Sequence, residues 1–291
     1  MSFWIDALGT SVTYHDAGGI RTRAIEAGPA DGEVVVMMHG LSGHAEGFVR
    51  NVRAFGDAGY RVYAIDAVGH GFSDKPVDAT YHSPLFERHL LDFLDSVGAE
   101  RAHLIGQSLG AWTGWRVALS HPERVRSLIS ATGAGILLSD AASQAESQAI
   151  HRKVASVTNR ALEAPTRERV RARLEFLMAT PESVPDELVD TRWTIFNLPD
   201  SRAAMPKMTA EQTGEDNRAN LIGEADLART DVPTLLVWTD RNPTVPAATA
   251  RKAAALVPGA RFELIEQAGH WPQFEQPEAF NRIALDFIGS R

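Results

Sequence analysis

A serine flanked by glycines occurs in the segment Gly106-Gln107-Ser108-Leu109-Gly110. The apolar run from His103 to Ile105 precedes this segment and a helical pattern follows it, which is the strand, turn and helix context of a G-x-S-x-G nucleophile elbow. In such a turn the glycines allow a close approach of the backbone, and the serine is held in a strained conformation that exposes its hydroxyl. We therefore predict that Ser108 is a nucleophile.

A serine hydroxyl is a weak nucleophile unless an oriented base takes its proton. His270 lies in Ala268-Gly269-His270-Trp271-Pro272, between the last predicted strand and the final predicted helix. A loop in that position reaches the carboxyl edge of a parallel sheet, where Ser108 is also expected. His270 is therefore the predicted base.

The segment His39-Gly40-Leu41-Ser42-Gly43 follows the predicted strand Val34 to Met38. Its backbone amides would lie beside the elbow and could stabilise an oxyanion. We expect the amides of Leu41 and Leu109 to be the donors. One such donor contributes about two to three powers of ten in rate.

The third member of a catalytic triad is expected in the loop between Val237 and Pro246, which offers Asp240 and Asn242. An aspartate would both orient the imidazole and stabilise its positive form, whereas an asparagine could only orient it. Asp240 is the better candidate by its chemistry, and Asn242 is the better candidate by its position. We predict Asp240 as the acid and keep Asn242 as the alternative.

Short β-rich apolar runs alternate with helical patterns in the first half of the chain, which predicts parallel strands joined by crossover helices. No strand pattern occurs between about Leu137 and Pro206, and strands resume at Thr234. The expected fold class is α/β, with helices on both faces of a mostly parallel sheet. We predict a core from 1–136 and 207–291 and a helical cap from 137–206.

Arginines of the predicted cap fall into two groups. Arg192 shares a helical face with Leu188 and Ile195, so its guanidinium could point into the cleft and hold a substrate carboxylate. An arginine that pairs with a buried acid or extends outward is the alternative. The other group is predicted to form a solvated helix surface: Arg167, Arg169, Arg171 and Arg173.

Composition excludes several classes of protein. The chain has no cysteine and a net charge of -8, which argues against a thiol nucleophile, a disulfide framework and nucleic acid as a partner. We see no secretory signal and no membrane span, so a cytoplasmic location is expected. No metal-ligand spacing and no phosphate or dinucleotide loop occurs, so no metal and no cofactor are predicted.

With these residues in hand, the chain resembles the α/β-hydrolase family over essentially its whole length, and within it the meta-cleavage-product hydrolases. The more specific similarity lies in a few short segments: Gly19 to Arg23, Ala58 to Val62 with Asp66, Arg192-Trp193, Gly269-His270-Trp271, and Phe280-Asn281-Arg282. The resemblance implies cleavage of a carbon-carbon bond in a 2-hydroxy-6-oxo-dienoate made by aromatic ring opening. It further implies that Arg192 and Trp271 bind the substrate.

The chain departs from the family pattern at positions expected near the dienoate end of the substrate. Gln107 stands where the family usually has asparagine, and Gly47 stands where a polar residue is expected. The usual acid position, four residues before the proline of the Val-Pro pair, is occupied by Asn242. Gln107 is nevertheless retained as a predicted substrate contact.

The leading hypothesis is a serine-dependent carbon-carbon hydrolase of aromatic degradation that acts on a small anionic molecule. An ester or lactone hydrolase is the alternative, because fold does not decide between these activities. A binding protein that has kept the pocket is a third hypothesis, suggested by Asn242 at the acid position. A homo-oligomer is compatible with the family, although no apolar stripe identifies an interface.

Overall fold

The computed structural model describes residues 2–290, with the side chains at positions 141, 142, 146, 147 and 151 outside the description. Its strands are β1 (Ser11–Ala17), β2 (Ile20–Ala27), β3 (Val34–Met38), β4 (Arg61–Ile65), β5 (Ala102–Gln107), β6 (Val125–Ala131), β7 (Thr234–Thr239) and β8 (Arg261–Ile265). They form one eight-stranded sheet in the order β1-β2-β4-β3-β5-β6-β7-β8. All pairs from β4 to β8 are parallel, whereas β1 and β2 pair antiparallel with each other and β2 pairs antiparallel with β4. The predicted α/β class with a mostly parallel sheet is confirmed.

The N-terminal hairpin of β1 and β2 was not among the predicted elements. Gly18 and Gly19 form its turn with φ of 63° and 86°. Two successive residues with positive φ match the twist of the flanking strands in a two-residue hairpin, and glycine adopts this conformation without strain. Much of β1 is exposed, so it lacks the continuous apolar run that marks the buried strands.

Helices cover both faces of the sheet. They are α1 (Phe3–Asp6), α2 (Val49–Asp57), α3 (Ser83–Ser96), α4 (Leu109–Ser120), α5 (Ala141–Glu163), α6 (Arg167–Leu177), α7 (Asp186–Asn197), α8 (Pro199–Gln212), α9 (Glu224–Ala228), α10 (Ala247–Leu256), α11 (Pro272–Glu275) and α12 (Pro277–Gly289). Side chains of β3 alternate between two apolar cores, with Val36 in the core that includes α3 and α4 and Val35 in the core that includes α2 and α12. Because both faces are covered, β3 is buried throughout.

Four long helices, α5 to α8, lie between β6 and β7, in the region predicted as a cap. Residue 206, the predicted end of that cap, lies within α8, which continues through Pro206 to Gln212. The division into a core and a cap stays a prediction. Within the described residues, no helix combines the length and apolarity needed to cross a bilayer.

Candidate active site

Ser108 lies at the sharp turn between the end of β5 and the start of α4, with φ 52° and ψ -112°. This conformation is strained for a residue with a side chain. The flanking glycines make it attainable. A Cβ on Gly106 would lie 2.3 Å from the amide nitrogen of Ala111, and one on Gly110 would lie 2.2 Å from the carbonyl oxygen of Met38. The predicted elbow is therefore present, and it exposes Ser108 to a cavity of about 480 Å³.

His270 lines the same cavity from the loop between β8 and α11. Its backbone is fixed on both sides of the residue. The amide donates to the carbonyl oxygen of Leu177 at 2.6 Å, and the carbonyl accepts from Oγ1 of Thr132 at 2.8 Å and from Nε2 of Gln107 at 3.1 Å. Within the described part of the chain, no hydrogen bond joins Ser108 to the imidazole, and such bonds often close only when substrate binds.

Asn242 is the residue that orients the imidazole. Its Oδ1 lies 2.9 Å from Nδ1 of His270, and its Nδ2 donates to the carbonyl oxygen of Val245 at 2.8 Å. The second bond fixes which end of the amide faces the ring, so Nδ1 must carry the proton and Nε2 is left free to act as a base. The hydroxyl of Thr244 donates to the same Oδ1 at 2.9 Å and lies 3.2 Å from Nδ1.

The prediction that Asp240 contacts the imidazole is wrong. Its carboxylate accepts from the amide of Ala268 at 3.3 Å and lies 3.6 Å from Nε of Arg241, with 32% of the side chain exposed. Asp240 begins the loop directly after β7, where its side chain is directed to the neighbouring strand end rather than to the cavity. Asn242, the alternative position, occupies the place next to His270.

Burial controls the charge of the candidate base. Burial and, to a smaller extent, the positive charge of Arg173 lower the pKa of His270 to about 3. An imidazole with this pKa is neutral at physiological pH and can accept a proton. Because Asn242 is neutral, no carboxylate next to the ring offsets the effect of burial.

The predicted oxyanion donors lie where the cavity meets the elbow. Leu41, Leu109 and Ser108 all line the cavity. Leu109 is the first residue of α4, so its amide has no acceptor within its own helix. The role of both amides in catalysis stays a prediction.

The loop that carries Leu41 is held by His39. Nδ1 of His39 donates to the carbonyl oxygen of Gly40 at 2.8 Å, and Nε2 accepts from the amide of Ala67 at 3.1 Å. Burial lowers the pKa of His39 to about 3, which keeps the ring in the neutral form that these bonds require.

Asp66, directly after β4, accepts hydrogen bonds from the amide of Ala45 further along this loop, from the amide of Phe72 and from Nη1 of Arg23. These contacts join two of the family-like segments, those of Arg23 and Asp66. Gly47 is buried and is not among the described residues that line the cavity.

Gln107 and Trp271 both line the cavity, as predicted substrate contacts should. Nε2 of Gln107 already has a partner in the carbonyl oxygen of His270, so its amide also positions the catalytic loop. Trp271 is buried, and the guanidinium of Arg192 lies over its ring, 4.8 Å from the centroid. Contact of either residue with substrate stays a prediction.

Arg192 lies on α7 and is 1% exposed, with buried Leu188 and Ile195 on the same face. Its Nε and Nη2 have no hydrogen-bond partner among the described residues, and the alternative of a buried acid partner is not found. Burial and, to a smaller extent, the positive charge of Arg173 lower the pKa of Arg192 to about 9. Among the described residues of the cavity wall, Trp271 and Arg173 are present and Arg192 is not.

The assignment of Arg173 to a solvated helix surface is wrong. Its side chain is 4% exposed and lines the cavity. Arg167 and Arg169 are exposed, and Arg171 is half-buried. The helix α6 thus presents Arg173 on the same face as the apolar Val170, Leu174 and Leu177. The sequence contains a signal for this burial, because Arg173 interrupts the apolar stripe of α6 in the same way that Arg192 interrupts the apolar stripe of α7.

Glu275 is a positioning residue that the sequence did not reveal. Its carboxylate accepts from the amides of Ala179 at 2.7 Å, Gly269 at 3.0 Å and Trp271 at 3.1 Å. It therefore ties both sides of His270 to the segment that follows α6. Burial raises the pKa of Glu275.

The sheet order and the sharp strand-to-helix turn that carries Ser108 are features of the α/β-hydrolase fold. A family model described as alpha/beta hydrolase fold matches residues 33–277. The chain belongs to this family. Among curated proteins, it is 31% identical over 262 residues to a 2-hydroxy-6-oxononadienedioate/2-hydroxy-6-oxononatrienedioate hydrolase of Paraburkholderia phymatum, covering 88% of this chain and 87% of that protein.

A 2-hydroxy-6-oxo-6-phenylhexa-2,4-dienoate hydrolase of Comamonas testosteroni is 29% identical over 272 residues, covering 91% of this chain and 90% of that protein. Among solved structures, a serine hydrolase involved in carbazole degradation has a TM-score of 0.81 at 26% identity, with 97% of this chain and 100% of that chain covered. The 2-hydroxy-6-oxo-6-phenylhexa-2,4-dienoate hydrolase of Rhodococcus sp. strain RHA1 has a TM-score of 0.83 at 21% identity, covering 96% and 99%, and supports the fold alone. The resemblance to meta-cleavage-product hydrolases is thereby confirmed.

Proposed function

We propose that the protein hydrolyses a carbon-carbon bond in a 2-hydroxy-6-oxo-dienoate, the type of product made by meta-cleavage of an aromatic ring. The observation that carries the proposal is a cavity lined by Ser108, His270 and the buried guanidinium of Arg173, whose Nη1 has no partner among the described residues. An anionic substrate would supply that partner. Relatives named for dienoate substrates cover most of the chain.

The reaction requires that Ser108 attack the ketone carbon next to the bond to be broken, after ketonisation of the dienol. Nε2 of His270 takes the proton of the serine hydroxyl, and Asn242 holds the ring in the tautomer that leaves Nε2 free. The amides of Leu41 and Leu109 face the developing oxyanion. Collapse of the tetrahedral intermediate breaks the carbon-carbon bond, and the electron pair leaves with the dienoate fragment, which takes the proton from His270 and departs as a 2-hydroxydienoate. Water, which gives a proton to His270, then hydrolyses the acyl group from Ser108, and this step releases a carboxylic acid and returns the proton to Ser108.

The carboxylate of the dienoate needs a cationic partner, and Arg192 beside Trp271 is the residue that we assign to it. Its unpartnered Nε and Nη2 form the edge of a guanidinium that can bind a carboxylate through two parallel hydrogen bonds. Because Arg192 is not on the described cavity wall, we expect the Trp271 side chain to shift when substrate binds.

Stopped-flow absorbance with ring-fission dienoates tests this proposal. We expect loss of the dienoate chromophore with release of a carboxylic acid, and a rate lowered by about four powers of ten or more in Ser108→Ala and in His270→Ala. Ser96→Ala, at an exposed serine of α3 that is not among the described residues of the cavity wall, is the matched control. Turnover of aryl esters or lactones without turnover of any dienoate would replace the proposal by the ester hydrolase. Failure of a serine-directed covalent probe to label the native protein would favour the binding protein.

A further inference from the structure

Arg173 is a buried cation on the cavity wall whose hydrogen bonds are only partly satisfied. Its Nε donates to Oγ1 of Thr158 on α5 at 2.9 Å, which holds the guanidinium in place. Its Nη1 is buried and has no partner among the described residues. Because the Arg173 side chain also lines the cavity, this unpaired nitrogen can bind a ligand there after a small shift of the side chains around it.

Among the described side chains, no carboxylate compensates this charge. Burial lowers the pKa of Arg173 to about 10, and no described acidic residue contributes to the shift. The same holds for Arg192, whose pKa is lowered by burial and by Arg173. Both side chains remain cationic at neutral pH, and two uncompensated buried charges destabilise the free protein.

The charges on the rest of the cavity wall also favour an anion. Glu215 and Arg218 line the cavity and form an ion pair of 3.1 Å, so they compensate each other. Arg152 and Arg173 remain as cations on the wall. This local excess of positive charge contrasts with the net charge of -8 on the chain.

The two buried arginines lie at different parts of the site. Arg173 is close enough to His270 to add to the lowering of its pKa by burial. Arg192 lies over Trp271 and adds, after burial, to the lowering of the pKa of His39, which holds the oxyanion loop. A substrate with one carboxylate, bound to Arg192, would leave the positive charge of Arg173 uncompensated. A substrate with a second carboxylate would compensate the charges of both arginines.

We propose that Arg173 forms a second anion subsite and binds a carboxylate on the acyl part of the substrate, so that the enzyme acts on dianionic ring-fission products. This inference rests on the proposed function, since it assigns the dienoate carboxylate to Arg192. The acyl product is then a dicarboxylic acid. Thr158 is a positioning residue for this subsite.

The first test compares two chromophoric substrates that differ in the acyl group, 2-hydroxy-6-oxonona-2,4-diene-1,9-dioate and 2-hydroxy-6-oxohepta-2,4-dienoate. We expect the native enzyme to prefer the dianion in kcat/KM. Arg173→Met should lower kcat/KM for the dianion by about 10- to 100-fold and leave the monoanion within about threefold. Arg169→Met, an exposed site on the same helix, is the matched control and should change neither value.

Two outcomes of this test would overturn the inference. If the native enzyme shows no preference for the dianion, no second subsite operates. If Arg173→Met lowers kcat/KM equally for both substrates, Arg173 binds the dienoate carboxylate instead. Thr158→Val should reproduce part of the selective loss, because it removes the hydrogen bond that places the guanidinium.

A second test does not depend on turnover and so separates this inference from the proposed function. Succinate should raise the melting temperature of the Ser108→Ala protein more than butyrate does, because only succinate has the second carboxylate. Arg173→Met should abolish the difference while melting at the same or a higher temperature without ligand. Equal effects of the two acids would contradict the subsite even if dienoates are turned over, and a selective effect of succinate would support it even if they are not.

Discussion

Oδ1 of Asn242 lies 2.9 Å from Nδ1 of His270, and the amide is held in this orientation by its own hydrogen bond to the carbonyl oxygen of Val245. The imidazole is therefore oriented by a neutral group. An amide at this position fixes the tautomer of the histidine but does not stabilise its protonated form. The His270 imidazole is consequently held in the orientation that a base requires, but its low pKa makes it a weak base.

Replacing Asn242 by aspartate should strengthen this base. In Asn242→Asp, we expect the pKa of His270 to rise from about 3, because a carboxylate favours the imidazolium. The acid limb of the pH profile of kcat/KM should then move to higher pH, and kcat at neutral pH should increase by roughly tenfold. Steady-state kinetics between about pH 4 and pH 9 provide the measurement.

Asp240→Asn is the control for this experiment. Because Asp240 is partly exposed and bonds to the amide of Ala268, we expect less than about a threefold change in kcat and an unchanged pH profile. An activity loss comparable to that of His270→Ala would restore Asp240 as the catalytic acid. An unchanged profile in Asn242→Asp would show that Asn242 does not control the protonation of the ring.

The sequence was sufficient to predict most of the fold, because the buried strands are short apolar runs bounded by turn residues. The predicted strand from Val34 to Met38 is observed with these bounds, and strands resume at Thr234 as predicted. The hairpin of β1 and β2 is not predictable in this way, because β1 has little burial to impose a pattern. The predicted cap ends at Pro206, whereas α8 continues through this proline.

The site could be predicted only where local sequence determines geometry. Ser108 is defined by its two glycines, and His270 by its position after the last strand. The choice between Asp240 and Asn242 depends on which way each side chain points from its loop, and spacing does not determine that direction. The burial of Arg173 depends on how α5 and α6 pack together, and the sequence of α6 alone does not determine this packing.

Glu275 should control the placement of the catalytic loop. In Glu275→Gln, the amide nitrogen would face backbone amides that now donate to a carboxylate oxygen, so at least one hydrogen bond is lost. We expect a loss of about 2 kcal/mol in the free energy of unfolding and a fall in kcat of roughly tenfold or more. Urea unfolding and steady-state kinetics measure the two effects.

Glu278→Gln, at an exposed site in α12, is the control and should change neither the free energy of unfolding nor kcat. Equal behaviour of the two variants would contradict the role of Glu275.

Stability should fall steeply as the pH falls below about 6.5. Burial lowers the pKa of His39 and His270 to about 3 and that of His89 to about 4, and it lowers the pKa of His70 well below the usual value. These rings bind protons in the unfolded chain before they do so in the folded chain. The free energy of unfolding is therefore largest above the unfolded pKa and decreases as the pH falls towards the folded values.

Proton uptake on unfolding provides the measurement of this effect. Near pH 5, we expect His39, His70, His89 and His270 together to take up roughly three to four protons per chain on unfolding, each lowering stability by about 1.4 kcal/mol per pH unit. His121, which is half-exposed, makes His121→Gln the control, and this variant should leave the uptake unchanged. A melting temperature that is constant between pH 7 and pH 5 would contradict the assignment of neutral buried imidazoles.

The elbow should tolerate no side chain at Gly110. The added methyl of Gly110→Ala would lie 2.2 Å from the carbonyl oxygen of Met38, so α4 must move away from β3. Overpacking of this kind costs about 1 to 3 kcal/mol and would displace Ser108 from the cavity wall. We expect a lower melting temperature and a fall in kcat of at least roughly a hundredfold.

Gly47→Ala is the matched control, because a Cβ at this buried glycine meets no atom within 4 Å. If the two variants lose activity to the same extent, close approach of α4 to β3 is not what holds the nucleophile in place.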